Sequence, residues 1–235
     1  MLPSAVGVPV DEFLRDLEEE AGGLLAGAYL VGSSALGDFS PRFSNVDVVV
    51  VTDPPADPPA VSRMRRAEGR LHRAGRSASV WYTAWEDLAS GDPSGGGGRL
   101  DTPMTRAILR DDAVTLTGPD WPVVAFDDET FRRWCQARLA QVADQAQGLM
   151  VFRRGVVPVV LEAARLAEGA LSGRVLSKCE AGQIASRLVK SHFRRILTDA
   201  VGYRQGATTS MYWGPFERKY DAREVVRHLA AAAGL

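Results

Sequence analysis

The stretch from residue 24 to residue 52 constrains the fold more than any other part of this 235-residue chain. Residues 24–31 form a short apolar run and residues 46–52 a β-branched run, and both have the length and flanking turn residues of a β-strand. Between them lies the sequence Gly32-Ser33-Ser34-Ala35-Leu36-Gly37. The pattern predicts a strand that enters a short helix through a Gly-Ser turn, followed by a second strand.

The polar residues of this stretch suit the binding of a phosphate group and a divalent cation. Gly32 lets the backbone approach a phosphate closely, the unbonded amides at the helix start donate to its oxygens, and Ser33 adds a hydroxyl. Residues two apart on a strand face the same way, so we expect the side chains of Asn45 and Asp47 to lie side by side. Such oxygen ligands suit a divalent metal carried on nucleotide phosphates.

Further patterns in the first half of the chain predict more elements of a mixed sheet with helices. Apolar residues at helical spacing predict helices over 11–21 and 61–74. Apolar and β-branched runs predict strands over 77–84 and 113–117. Residues 91–98 contain four consecutive glycines and predict a flexible surface loop.

Helical patterns replace strand patterns from residue 127 onward. They predict four helices, over residues 131–147, 156–171, 177–202 and 221–233. The fold class expected is therefore α+β, with a mixed β-sheet domain with helices over 1–125 and a C-terminal α-helical bundle domain over 126–235.

Composition and charge narrow the classes of partner. With 28 basic and 29 acidic side chains the formal net charge is −1, so no global positive field attracts a nucleic acid. No run approaches 18 apolar residues and no secretory signal is visible, so we expect a cytoplasmic protein without a membrane partner. Cys135 and Cys179 lack metal-site spacing and are expected to be reduced thiols. The sequence does not indicate an oligomeric state.

The Gly-Ser turn followed by the polar positions of the second strand resembles the signature of the nucleotidyltransferase superfamily. In the second half, Leu-Glu-Ala-Ala-Arg-Leu at 161–166 and Ser-Gly-Arg-Val-Leu-Ser-Lys-Cys-Glu-Ala-Gly at 172–182 resemble the helical domain of aminoglycoside adenylyltransferases of the streptomycin and spectinomycin type. The resemblance implies a nucleotidyltransferase-like sheet domain and ATP with Mg²⁺ as cofactors. It also implies a small-molecule substrate in an interdomain cleft, with Arg165 and Lys178 binding the nucleotide phosphates and Asp47 with Asn45 binding the metal.

The chain departs from the family's acidic pattern at two of three positions. Asn45 occupies the first acidic position, and the third aligns best with Ser79, so Asp47 alone remains acidic among these candidate catalytic residues. Asn45 still offers a carbonyl oxygen, but Ser79 is not a general base near pH 7 without an activator. Among replacement carboxylates, Asp38 and Glu162 remain candidates, whereas Asp53 lies about 20 Å along an extended strand from Asp47.

Two functional hypotheses remain open at this point. The first is transfer of a nucleoside monophosphate from ATP to a hydroxyl of a small polar acceptor. The second is a catalytically degenerate or repurposed homologue that binds a small molecule, or that catalyses a different reaction in specialised-metabolite biosynthesis. A nucleotidyltransferase acting on a macromolecule is a weaker third, because neither the net charge nor the helical half favours it.

Overall fold

A computed structural model describes residues 4–73, 78–90, 100–120, 124–148 and 151–235. The chain divides into two compact units, Met1–Phe126 and Asp127–Leu235. The predicted strands lie in the first unit, and the described part of the second unit is helical. The α+β fold class predicted from the sequence is confirmed. No described helix combines the length and the apolar character needed to span a membrane.

The first unit alternates helices with four strands. In chain order its elements are α1 (Ser4–Ala21), β1 (Leu25–Val31), α2 (Gly32–Ala35), β2 (Val46–Thr52), α3 (Pro58–Arg73), β3 (Ala78–Ala84), α4 (Trp85–Ser90), α5 (Pro103–Asp111) and β4 (Val114–Thr117).

The four strands form one mixed sheet in the order β3-β2-β1-β4. β1 is antiparallel to both β2 and β4, whereas β2 and β3 run parallel. The β2–β3 connection runs through α3, because parallel neighbours need a long crossover. The central strands β1 and β2 are mostly buried, as expected from their continuous apolar runs.

Side-chain alternation along β2 separates a core face from a face that carries polar groups. Val46, Val48 and Val50 pack in one buried cluster with Phe13 of α1 and Met64 of α3. Asp47 therefore points to the opposite face of the sheet, because successive side chains on a strand alternate. On that opposite face, the guanidinium of Arg106 in α5 lies 5.7 Å from the ring centroid of Trp81 in β3.

The second unit is built from five α-helices in its described part. They are α6 (Asp128–Gln147), α7 (Arg153–Ser172), α8 (Lys178–Ala185), α9 (Arg194–Arg204) and α10 (Pro215–Ala232), with a short 3₁₀ turn at Ser191–Phe193. Asp127 caps α6, since its carboxylate accepts hydrogen bonds from the backbone amides of Glu129 and Thr130. Helix α7 has more buried residues than any other described helix of the unit and packs against α6, α8, α9 and α10.

A buried ion pair fixes the loop that follows α9. The side chain of Asp199 is fully buried and accepts two hydrogen bonds from Ser210 Oγ and the Met211 amide. Arg153 Nε and Nη2 lie 3.0 Å from its two carboxylate oxygens. Four donors on one carboxylate leave it fully compensated in the interior.

Several predicted boundaries were wrong. The helix predicted over 177–202 is interrupted after Ala185, where Ser186 Oγ donates to the Gln183 carbonyl and competes with helix continuation. Helices α4 and α5 were not predicted, although Thr102 followed by Pro103 is a typical helix start and the Thr102 hydroxyl caps α5. Helices α1 and α3 begin earlier than expected, and the predicted glycine loop at 91–98 lies outside the described residues.

Candidate functional site

The Gly-Ser turn forms as the sequence predicts. Strand β1 ends at Val31, and Gly32 begins the short helix α2 with a φ of 65°, in the left-handed region that favours glycine. The amides of Leu36 and Asp38 donate to the carbonyls of Gly32 and Ser33 and close the turn. Ser33 is half-buried.

Gly32 lies directly against the carboxylate of Asp47. A Cβ atom built on Gly32 would lie 2.5 Å from Asp47 Oδ2, closer than real Cβ atoms approach an oxygen. A side chain at this position is disfavoured for two reasons, the positive φ and the need for the Asp47 carboxylate to move away. The turn and the acidic residue of the predicted motif are in contact.

The register of the strands places Ser79 next to Asp47 on the sheet. Asp47 pairs with Val31 across the antiparallel β1–β2 ladder and with Ser79 across the parallel β2–β3 ladder. Partners in register present their side chains on the same face of a sheet. Ser79 thus lies next to Asp47, and both side chains are half-buried.

Asn45 lies outside the strand on which it was predicted. The prediction placed Asn45 and Asp47 on one strand, but β2 begins at Val46, so Asn45 belongs to the preceding loop. Side-chain alternation therefore does not reach Asn45. The loop is closed before it by hydrogen bonds between Ser40 and Ser44, and Asn45 is half-buried.

Other carboxylates of the first unit lie at different distances along the chain from Asp47 and Ser79. Asp38 lies shortly after α2, and its amide donates a hydrogen bond to the Ser33 carbonyl, so its backbone remains close to the turn. Asp53 lies beyond the far end of β2, and Glu86 is on α4, both exposed. No group of three or more His, Cys, Asp or Glu residues able to hold a metal occurs among the described residues.

In the second unit, the two basic residues named from the sequence share one carboxylate. Arg165 Nη2 lies 3.1 Å and 2.9 Å from the two carboxylate oxygens of Glu162, one turn earlier on α7. Lys178 Nζ lies 3.2 Å from Glu162 Oε2. Lys178 is the first residue of α8, and Ser177 caps this helix because its hydroxyl accepts a hydrogen bond from the Glu180 amide.

The electrostatics of this cluster keep Glu162 ionised. Burial alone would raise the pKa of Glu162, but the charges and hydrogen bonds of Arg165 and Lys178 lower it to about 2. Burial lowers the pKa of Lys178, Glu162 opposes this effect, and the positive charges of Arg165 and Arg204 add to the lowering. A carboxylate with so low a pKa is a weak base, which argues against Glu162 as a replacement general base.

Two members of this neighbourhood were not predicted as site residues. Arg204, buried at the end of α9, acts on the pKa of Lys178. Cys135 is fully buried, and its burial raises the thiol pKa to about 12, so it is not a nucleophile at neutral pH. The spacing of Glu162 and Arg165 was a signal for their pairing, because residues three apart on a helix are neighbours.

Aromatic residues of β3 and α4 do not form a common stacking platform. Trp81 is buried, whereas Tyr82 points to the core face, where its hydroxyl donates to the Met64 carbonyl. Trp85 packs edge-on to Tyr29, with ring centroids 6.2 Å apart. A cavity of about 310 Å³ between α8 and α9, lined by Gly182, Leu197 and Val201 among others, contains none of the predicted site residues.

Comparisons with known proteins show a matching domain model and a similar fold. Residues 10–76 match the family model described as nucleotidyltransferase domain, a segment that includes Gly32, Asn45 and Asp47. A solved structure of spectinomycin adenyltransferase AAD(9) from Enterococcus faecialis, with ATP and spectinomycin, matches with a TM-score of 0.66 and 14% sequence identity. The match covers 94% of this chain and 98% of that chain. No curated protein sequence matches. The predicted resemblance to aminoglycoside adenylyltransferase-like nucleotidyltransferases is confirmed at the level of domain model and fold.

Proposed function

We propose that this chain, which carries a nucleotidyltransferase domain, transfers a nucleoside monophosphate from ATP to a hydroxyl of a small polar acceptor. Gly32 and Ser33 hold phosphate oxygens, Asp47 with Asn45 binds Mg²⁺, and Arg165 with Lys178 neutralises the triphosphate. The acceptor belongs to the class of small hydroxylated molecules. Spectinomycin and streptomycin are the first acceptors to test, since the structural relative was solved with spectinomycin.

One observation carries this proposal: the contact between Gly32 and Asp47. The proposal is supported by the proximity of the Gly32 turn to the Asp47 carboxylate, because such a turn suits a phosphate and a carboxylate suits a cation. The turn requires a positive φ at Gly32, a backbone conformation that few other residues adopt without strain. A phosphate with its bound cation is the ligand that uses both groups at once.

The reaction requires one bond to form and one to break at the α-phosphorus of ATP. The acceptor oxygen bonds to this phosphorus, the bond to the bridging oxygen breaks, and pyrophosphate leaves while the hydroxyl proton passes to water. Ser33 and the amides of the turn stabilise negative charge on the phosphate oxygens. Arg165 and Lys178 supply positive charge for the departing pyrophosphate.

The oxygen donors present fit one Mg²⁺ better than two. Mg²⁺ is commonly held by one or two carboxylates together with substrate phosphates and water, and Asp47 with the amide oxygen of Asn45 satisfies that requirement. A two-metal site needs more shared negative charge than one carboxylate supplies. When bound, Mg²⁺ would neutralise phosphate charge and orient the triphosphate.

A second function, ligand binding without nucleotidyl transfer, is favoured by a specific observation. Ser79 is the register partner of Asp47, so an uncharged side chain stands where the resemblance implies a third carboxylate. A fold of this kind can retain a binding site after its chemistry is lost. The two functions differ in turnover, whereas both allow binding of nucleotide.

Calorimetric titration with ATP, with and without Mg²⁺, tests the proposal. We expect binding that Mg²⁺ strengthens, and we expect Asp47→Asn to abolish the Mg²⁺ effect because it removes the carboxylate charge. Asp53→Asn is the matched control, since Asp53 is exposed beyond the opposite end of β2 and should leave binding unchanged. Absence of ATP binding by the wild type, or an unchanged Mg²⁺ effect in Asp47→Asn, contradicts the proposed site.

Turnover is measured separately as pyrophosphate release in the presence of Mg²⁺-ATP and a hydroxylated acceptor. Release that depends on the acceptor and is lost in Asp47→Asn supports transfer. Nucleotide binding without release, over a panel of aminoglycosides and aminocyclitols, supports the second function instead.

A further inference from the structure

The cationic pair proposed to bind phosphate is already occupied by an anion of the chain itself. The carboxylate of Glu162 accepts from Arg165 at 3.1 Å and 2.9 Å and lies 3.2 Å from Lys178 Nζ. Its two oxygens thus take the place that two oxygens of a phosphate group would take between the same two cations. Glu162 and Lys178 come from different helices, so the carboxylate also links α7 to α8.

The cluster of Glu162, Arg165 and Lys178 retains a hydrogen-bond donor that could bind a further anion. Arg165 Nε is buried and has no hydrogen-bond partner within the described residues, although Arg165 Nη2 is bound to Glu162. Lys178 and Arg165 are largely buried, with side-chain exposures of 29% and 16%, and Arg204 adds a third positive charge to the neighbourhood. Arg165 and Lys178 together carry two positive charges against the single carboxylate of Glu162.

We infer that Glu162 is a built-in competitor for the phosphate-binding pair, so that a bound phosphate chain must displace its carboxylate from Arg165 and Lys178. This inference rests on the proposed function, because it deepens the role given there to these two cations. Glu162 limits the affinity for the triphosphate and favours its exchange. It does so by charge and position, since both carboxylate oxygens meet the cations directly.

The size of the effect follows from electrostatics. A carboxylate that remains beside a bound phosphate repels it, and a carboxylate that is displaced loses two charged partners, so either route weakens phosphate binding. Replacing Glu162 by a neutral side chain of equal size removes both costs. At the effective dielectric of a partly buried site, a single charge at this range changes affinity by about tenfold or more.

Titration of the full-length protein with sodium tripolyphosphate and with ATP tests this role. We expect Glu162→Gln to bind both probes about tenfold more tightly than the wild type. Glu168→Gln, six residues further along α7, is the matched control, because it makes the same change in net charge on the same helix. Its affinities should stay within about twofold of the wild type. Thermal unfolding of each variant without ligand establishes that it is folded.

Glu162→Asp separates charge from shape. It keeps the negative charge and shortens the side chain, so its gain in affinity should be smaller than that of Glu162→Gln. Should Glu162→Gln not fold, the same titrations of Glu162→Asp decide the matter: tighter binding than the wild type supports competition, and equal or weaker binding overturns it.

The outcomes distinguish this inference from the proposed function. Wild-type binding of ATP with no gain in Glu162→Gln, or with a loss, overturns competition and leaves the proposed function standing. A loss would instead identify Glu162 as a residue that positions the two cations for phosphate. Tight binding by Glu162→Gln without measurable binding by the wild type supports competition and contradicts the proposed function. No binding of either probe by either protein overturns both.

Discussion

Ser79 lies beside Asp47 at the same register position of the parallel strands β2 and β3. The pairing places a hydroxyl next to the carboxylate that contacts Gly32, on the face of the sheet that the α1–α3 core does not cover. Ser79 therefore adds no negative charge to a cation held at Asp47. Changing the charge at position 79 is therefore a direct way to change cation binding at Asp47.

Restoring acidic residues around Asp47 should increase metal binding. In the double variant Asn45→Asp with Ser79→Glu, we expect Mg²⁺ to strengthen ATP binding about tenfold more than it does in the wild type, because two charges are added near the cation. Without metal, like charges on adjacent strands should lower the melting temperature, and Mg²⁺ should restore it. Calorimetry and thermal unfolding measure the two effects.

The control for this variant is Ser62→Glu, which adds a charge on the exposed surface of α3. Its melting temperature should not respond to Mg²⁺. A double variant whose stability is equally insensitive to Mg²⁺ would show that these positions do not face a common cation.

Gly32→Ala should destabilise the fold more than Gly37→Ala does. Both glycines have nearly the same positive φ, 65° and 67°, so alanine pays a similar backbone penalty of about 1–2 kcal/mol at each. A Cβ at Gly37 meets nothing within 4 Å, whereas a Cβ at Gly32 would lie 2.5 Å from Asp47 Oδ2. The difference between the two variants in thermal or urea unfolding measures the contact with Asp47.

Whether the Asp47 carboxylate causes the extra loss of stability in Gly32→Ala can be tested in a protein that also carries Asp47→Ala. If the carboxylate is responsible, the extra cost of Gly32→Ala should shrink when Asp47 is replaced by alanine, since neighbouring substitutions are not additive. An extra cost that persists unchanged would assign it to the backbone alone.

Asp199→Ala should strongly destabilise the helical unit. The substitution leaves Arg153 without its buried carboxylate partner and removes the acceptor for Ser210 and the Met211 amide. Loss of one partner of such a buried pair costs about 3–5 kcal/mol. Urea unfolding measures the change, with Arg227→Ala as the comparison because its ion pair with Glu224 is exposed and should contribute nothing measurable. Equal effects of the two substitutions would contradict the role of burial.

Acid should reduce the stability that Glu162 provides. Its folded-state pKa is lowered to about 2 from an ordinary 4.5, so the ionised carboxylate stabilises the fold above pH 4.5, and this contribution is lost as the pH falls through 2. We expect Glu162→Gln to melt at a lower temperature than the wild type at pH 7, and the gap to narrow as the pH falls below about 4.5. A gap that is constant down to pH 2.5 would show that the pairing with Arg165 and Lys178 does not stabilise the ionised form.

Local patterns in the sequence were sufficient to predict the strands β1 to β4 within about a residue. Continuous β-branched runs and the Gly-Ser turn specify these elements locally. The break after Ala185 and the start of α1 were not predictable in this way, because apolar spacing continues through the break and an interior Pro9 obscures the first helix. Helix α5, by contrast, carried a usable start signal in Thr102-Pro103.

The residues of the candidate site were named from the sequence, but their partners were not. Alternation along one strand predicted that Asn45 and Asp47 lie side by side, but β2 begins at Val46, and the sheet register shows that Ser79 adjoins Asp47. Glu162 was considered as a carboxylate that completes the acidic set, whereas the structure places it between Arg165 and Lys178. Pairings between α7 and α8 depend on tertiary packing, which the spacing within one helix does not encode.

The capping of α6 by Asp127 has a consequence for how this chain can be studied. Because the first residue of the helical unit supplies the cap of its own first helix, that unit needs no residue from upstream to begin α6. A fragment that starts at Asp127 therefore keeps both hydrogen bonds that cap α6, and circular dichroism of that fragment measures how much helix the second unit forms by itself.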